Sequence, residues 1–134
     1  MRIVLDTNVL IAALISQGVC SELLEHCALN HVLVTSDFIL GELHEHLVKK
    51  FKYDAKEANE AIVLLRSQME HVTPIPIESQ VCRDPDDDQV LGTATAGKAT
   101  CVVTGDNDLL VLQRFKDIEI LSPAAFATFE KKIG

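Results

Sequence analysis

The sequence predicts an α/β domain in three layers, with helices covering both faces of a central, mainly parallel sheet of about five strands. Two observations carry the prediction. Short, apolar, β-branched runs alternate along the chain with segments of helical periodicity, the pattern of a parallel sheet with helical crossovers. Acidic residues then recur just past these runs, at the carboxyl edge where such sheets place their sites.

Each element has its own warrant. Residues 2–5 (RIVL) form a buried strand, and Asp6 or Thr7 can cap a helix over 8–16. A second short helix covers 21–29, and 31–35 (HVLVT) is the second strand. Ser36 or Asp37 caps a helix to about residue 50, with Ile39, Leu40, Leu43 and Leu47 on one face. Asp54 starts another helix carrying Ala58, Ala61, Ile62 and Leu65. Residues 72–77 contain two prolines and read as an edge or irregular strand. An acidic cluster opens a helix over 86–96 that Gly97 ends. Strand 100–104, a short helix over 106–112, strand 118–121 and a helix begun by Ser122-Pro123 complete the chain.

The 134 residues are 48% hydrophobic, enough for one domain with a full core, and contain no Trp. No apolar stretch approaches the roughly 20 residues of a membrane helix. The first ten residues already read as strand and turn, so no signal peptide is expected and the expected setting is cytoplasmic. Cys20, Cys27, Cys82 and Cys101 form no CxxC pair and read as small core residues in a reducing compartment.

The net charge of -8 counts against a phosphate-binding surface. Its distribution softens that conclusion. Setting aside Asp6, Glu42, Asp84, Asp86, Asp87, Asp88, Asp106 and Asp108 leaves 12 acids against 12 bases. The remainder is neutral, and the acidity is concentrated where metal could offset it. Lys49, Lys50, Lys52 and Lys56 cluster within eight residues, and read either as a solvated helix end or as an RNA-facing patch.

Clustered carboxylates repel unless a cation lies between them, and hard oxygen ligands select Mg²⁺ or Mn²⁺. Such a site suits phosphodiester hydrolysis, because the metal polarises phosphoryl oxygens and activates water. A lone Asp after a strand is often no more than a helix cap, so the argument rests on the ordered set. Other chemistries fit less well. Glu42-Leu43-His44-Glu45-His46 is not HExxH, and its histidines lie two apart, on different helix faces. Asn8 replaces the second Asp of a dehalogenase-type phosphatase motif, and no GxxxxGK[ST] loop exists.

The ordered set resembles the PIN-domain nucleases. Asp6-Thr7-Asn8 after the first strand resembles the family's opening motif. Glu42 within SDFILGEL looks like its second acidic position. Asp88 with DQVLGTATAG is similar to the third, and Thr104-Gly105-Asp106-Asn107-Asp108 to the fourth. The match spans the whole chain, residues 1–134, as a single domain, and looks most like the subfamily described as toxins of toxin–antitoxin pairs. The resemblance implies a PIN-like α/β/α fold and a Mg²⁺- or Mn²⁺-dependent endoribonuclease acting on single-stranded RNA. Asp6, Glu42, Asp88 and Asp106 would be catalytic metal ligands and Asp108 an outer ligand, with Thr7, Asn8 and Thr104 as orienting groups. An antitoxin protein and a second copy of the chain join RNA as candidate partners. The alternatives are a non-cleaving PIN-fold module that holds RNA or protein, and a phosphoryl-transfer enzyme for a small phosphate ester, which needs a closed pocket.

Overall fold

The computed structural model describes residues 1–78 and 81–133. Among them the order is β1 (Arg2–Leu5), α1 (Thr7–Ile15), α2 (Val19–Asn30), β2 (Val32–Thr35), α3 (Asp37–Lys50), α4 (Ala55–Ser67), β3 (Glu70–His71), α5 (Pro85–Ala96), β4 (Cys101–Val103), α6 (Asn107–Leu110), β5 (Arg114–Phe115), β6 (Ile118–Leu121) and α7 (Pro123–Ile133). The strands form one sheet in the order β3-β2-β1-β4-β6-β5, parallel throughout except for β5 against β6.

Ile3, Val4 and Leu5 of β1 are all buried, as are Cys101, Val102 and Val103 of β4. Successive strand residues face opposite sides, so both faces of the central sheet are covered. Helix α5 packs on β1, β2 and β4, while α2 packs on β2 and α7. No single helix among the described residues is long and apolar enough to cross a membrane.

Two strands differ from the sequence expectation. The third strand is Glu70–His71, ahead of the prolines, where backbone N–H groups remain available to pair with β2. Residues 72–77 instead run as a strap over α5, where Ile75 N–H donates to the Gly92 carbonyl at 3.1 Å. The sixth strand, β5, was not expected. It is two residues long, set off by Gln113 and Lys116 at positive φ of 60° and 54°.

Gly92 lets the strap approach this closely. A Cβ there would stand 2.4 Å from the Ile75 carbonyl oxygen, a backbone atom with little room to retreat. Gly92→Ala should therefore lower stability by about 1–3 kcal/mol, the cost typical of overpacking, despite the better helix propensity of Ala. Urea unfolding checks this: an unchanged midpoint would show that the strap is not held against α5.

The chain lays β1, β2 and β3 outward in one direction, then returns to place β4 on the other side of β1. The carboxyl ends of β1 and β4 thus flank the point where strand order reverses, a place where α/β sheets open a crevice.

Candidate active site

Asp6 directly follows β1 and Asp106 follows β4 after Thr104 and Gly105, one on each side of that crevice, and each is the N-cap of the next helix. Asp6 is 5% exposed. One of its oxygens accepts from Thr7 N–H at 2.7 Å, and the other accepts from the Thr104 hydroxyl at 2.8 Å. The Thr104 hydroxyl in turn accepts from Asp106 N–H at 3.0 Å, so one buried side chain couples the two strand ends. The Thr7 hydroxyl donates to Glu42 of α3 at 2.9 Å. The Asn8 side-chain oxygen accepts from Gly105 N–H at 3.1 Å and holds the β4–α6 turn against α1.

These groups face a cavity of about 280 Å³ lined by Asp6, Thr7, Asn8, Glu42, His46, Asp84, Asp86, Asp87 and Asp106. Six of the nine are carboxylates, and His46 is the one side chain among them able to carry positive charge. Helix α5 delivers its acids from its first turn: Asp84 is the N-cap, accepting from Asp86 N–H at 2.9 Å, with Pro85 behind it. Carboxylate oxygens of Asp87, Asp106 and Asp108 lie within 4.8 Å of one another.

The structure brings Asp6, Glu42 and Asp106 together as expected, with Asp108 beside Asp106. It places Asp88 elsewhere. The Asp88 carboxylate accepts from Val81 N–H at 3.1 Å and from Cys82 N–H at 2.9 Å, tying down the segment ahead of α5. Asp87 takes the place in the cavity. A signal for this was present in the sequence: Asp87 is in phase with the buried Val90, Leu91 and Ala94, at i, i+3, i+4 and i+7. Asp88 lies about 100° further around the helix. His46, one turn beyond Glu42 on α3, also lines the cavity, although the sequence offers no HExxH pattern to single it out. Lys49, Lys50, Lys52 and Lys56 are exposed, and Lys49 pairs with Glu45 at 2.8 Å.

Crowding raises the proton affinity of the acids. Asp87 is pushed up to about 7 by burial first, then by the charges of Asp106, Asp6 and Asp84. Burial likewise raises Asp6 and Glu42, against the hydrogen bonds from Thr104 and Thr7 that favour their ionised forms. Asp87 lies close enough to Asp106 that the Asp106 charge favours the protonated form of Asp87. A divalent cation would take over that proton's electrostatic role, and an all-oxygen donor set fits Mg²⁺ or Mn²⁺.

Thr104→Val tests the coupling between the strand ends. It removes the donor to Asp6 and the acceptor for Asp106 N–H while keeping the β-branched shape. Metal affinity should fall roughly 10- to 100-fold, as for partners that orient ligands, and Thr104→Ser should restore most of it. Mn²⁺ titration calorimetry reads both, and equal affinity in all three proteins would remove Thr104 from the site.

A crevice of clustered carboxylates at the reversal point of a parallel sheet defines an acidic, metal-compatible site on an α/β/α scaffold. The sequence profile of the PIN domain matches residues 2–108, and the chain belongs to the PIN domain family. No curated protein is similar enough in sequence to serve as a relative. Solved structures are similar in fold. VapBC2 from Rickettsia felis, bound to a DNA fragment from its promoter, is 17% identical with a TM-score of 0.64, covering 90% of this chain and 97% of that one. VapBC-1 from nontypeable Haemophilus influenzae is 18% identical with a TM-score of 0.64, covering 92% and 99%. FitAcB from Neisseria gonorrhoeae is 18% identical with a TM-score of 0.59, covering 91% and 98%.

Proposed function

We propose that this PIN domain is a Mg²⁺- or Mn²⁺-dependent endoribonuclease that hydrolyses phosphodiester bonds of single-stranded RNA, and that it is the toxin of a toxin–antitoxin pair. The observation that supports this reading above others is the convergence of Asp6, Glu42, Asp87 and Asp106 from four separate elements on one cavity. A divalent ion held there supplies Lewis-acid polarisation of a phosphoryl oxygen and water activated near neutral pH.

The residues themselves prepare that chemistry. Asp6 and Glu42 are fixed by Thr7 and Thr104 before anything binds, so little reorganisation accompanies the reaction. Asp87 would hold the ion in its ionised form, alongside Asp6, Glu42 and Asp106. Asn8 spends its oxygen on Gly105 and keeps its amide nitrogen as a donor to a phosphate. His46 offers the cavity a second donor. Asp84 and Asp86 are exposed, which leaves the rim open to a polymer and disfavours a small phosphate ester as substrate. Lys49, Lys50, Lys52 and Lys56, further along α3 and into α4, supply affinity for the strand that weakens with salt. The VapBC and FitAcB folds support pairing with a cognate antitoxin protein.

The test is incubation of the purified chain with a varied pool of single-stranded RNA in Mg²⁺, Mn²⁺ or EDTA. Cleavage in metal that stops in EDTA is the expected result. Protein that binds metal but cuts nothing across the pool would instead support a non-cleaving binding module.

A further inference from the structure

Three side chains meet at the amino-terminal edge of the sheet, opposite the acid cavity. His26 lies near the end of α2, His31 just before β2, and Glu130 in α7. The same Glu130 oxygen, Oε2, lies 2.7 Å from His26 Nε2 and 2.5 Å from His31 Nε2. The two rings stand edge to face, 5.7 Å apart, and Phe126, one turn before Glu130, packs edge-on against His31 at 6.2 Å. The side chains are 46%, 12% and 27% exposed for His26, His31 and Glu130, so one side of the cluster is open to water.

We propose that His26, His31 and Glu130 form a second metal site, for a borderline transition-metal dication of the Zn²⁺ class, separate from the acid cavity. Two imidazole nitrogens and a carboxylate oxygen are a zinc-type donor set, with water free to take a fourth position. The all-carboxylate cavity suits harder ions, so the two sites divide the metals between them. Nitrogen and oxygen ligands about 2.0–2.1 Å from zinc stand roughly 3.3 Å apart in a tetrahedron. The two carboxylate–imidazole distances therefore lengthen by less than about 1 Å on binding, and His26, at an exposed position, can make that movement.

Coordination through Nε2 needs the ring proton on Nδ1. Nδ1 of His26 has only a long contact, 3.3 Å, with the Asn30 amide nitrogen, which donates to the His26 carbonyl at 2.9 Å and keeps that bond when Nδ1 takes up the ring proton. Nδ1 of His31 meets the Met1 nitrogen at 3.1 Å. Neighbouring Cys27 is fully buried in the core and lies outside the cluster of His26, His31 and Glu130. The site joins α2, β2 and α7 and acts as a clamp on the last helix.

The experiment is Zn²⁺ titration of the untagged full chain at pH 8, with saturating Mg²⁺ to fill the acid cavity, followed by calorimetry and melting. Co²⁺ serves as a spectroscopic probe for nitrogen ligation. One equivalent of Zn²⁺ should bind and raise Tm. His26→Ala, at an exposed position that folding does not need, and Glu130→Gln should each weaken binding roughly tenfold or more, while Asp87→Asn should not. Wild-type protein that takes no Zn²⁺, or unchanged affinity in both cluster variants, would overturn the proposal. So would loss of the Zn²⁺ equivalent in Asp87→Asn, which would return the metal to the acid cavity. None of these readouts depends on RNA cleavage.

Discussion

Asp87→Asn should lose metal-dependent RNA cleavage by on the order of 10²–10³-fold, the scale of losing one preorganised charge-stabilising group, while staying folded. The side chain keeps its size, and its amide can still donate to Asp106. The substitution also removes a buried carboxylate that its neighbours resist ionising. Metal-free Asp87→Asn should therefore melt above metal-free wild type at pH 8. Asp88→Asn should behave in the opposite way. It weakens the hold on Val81 and Cys82 N–H, costs about 1 kcal/mol of stability, and reduces cleavage much less. Kinetics and melting of the two variants side by side decide the matter. An inactive Asp88→Asn beside an active Asp87→Asn would mean that helix α5 presents the wrong acid in this account.

Metal-free protein should lose stability as pH rises from about 4 to about 7. The folded Asp87 holds its proton up to about 7, whereas an unfolded aspartate releases it near 3.8. Within that window the folded state binds more protons, so raising the pH favours unfolding. Asp6 and Glu42, also shifted upward, act in the same direction. Asp37, Glu45, Glu70 and Glu130 are shifted downward by their cationic or histidine partners and act in the opposite sense, but only below about 4.5. Mn²⁺ competes with the proton on Asp87, so its stabilisation should grow with pH. It should reach about 2.7 kcal/mol at a hundred times the dissociation constant. Melting in EDTA and in Mn²⁺ at pH 5, 6, 7 and 8 reads the difference. Two curves that stay parallel would show that the metal does not replace a proton at these acids.

Much of this architecture was legible in the residues. The strand at 2–5 ends in Asp6 and the strand at 100–104 leads to Asp106, and both acids reach the cavity because strand polarity alone places them there. Glu42 rested on the family resemblance, because its place along α3 leaves its direction to the tilt of that helix; with Ile39, Leu40, Leu43 and Leu47 buried, the packed helix brings it to Thr7. Asp87 stands among the clustered acids of the sequence but outside its expected ligand set, because three consecutive aspartates offer three directions around α5 and only the phase of the buried face distinguishes them. The resemblance drew attention to Asp88, while Val90, Leu91 and Ala94 marked Asp87. Strand β5 gave no signal, since two residues cannot show alternation and its turns use Gln113 and Lys116 rather than Gly or Asn. The third strand was displaced because β-branched residues at 72–77 outweighed the prolines among them. The ladder formed instead at Glu70–His71, where N–H groups were available.

Anomalous diffraction from crystals grown with Mn²⁺ tests the central claim most directly. Manganese density is expected within the cavity bounded by Asp6, Glu42, Asp87 and Asp106, with the Asp88 carboxylate still on Val81 and Cys82 N–H. Manganese at Asp88, or a cavity without manganese at a concentration that sustains RNA cleavage, would contradict it.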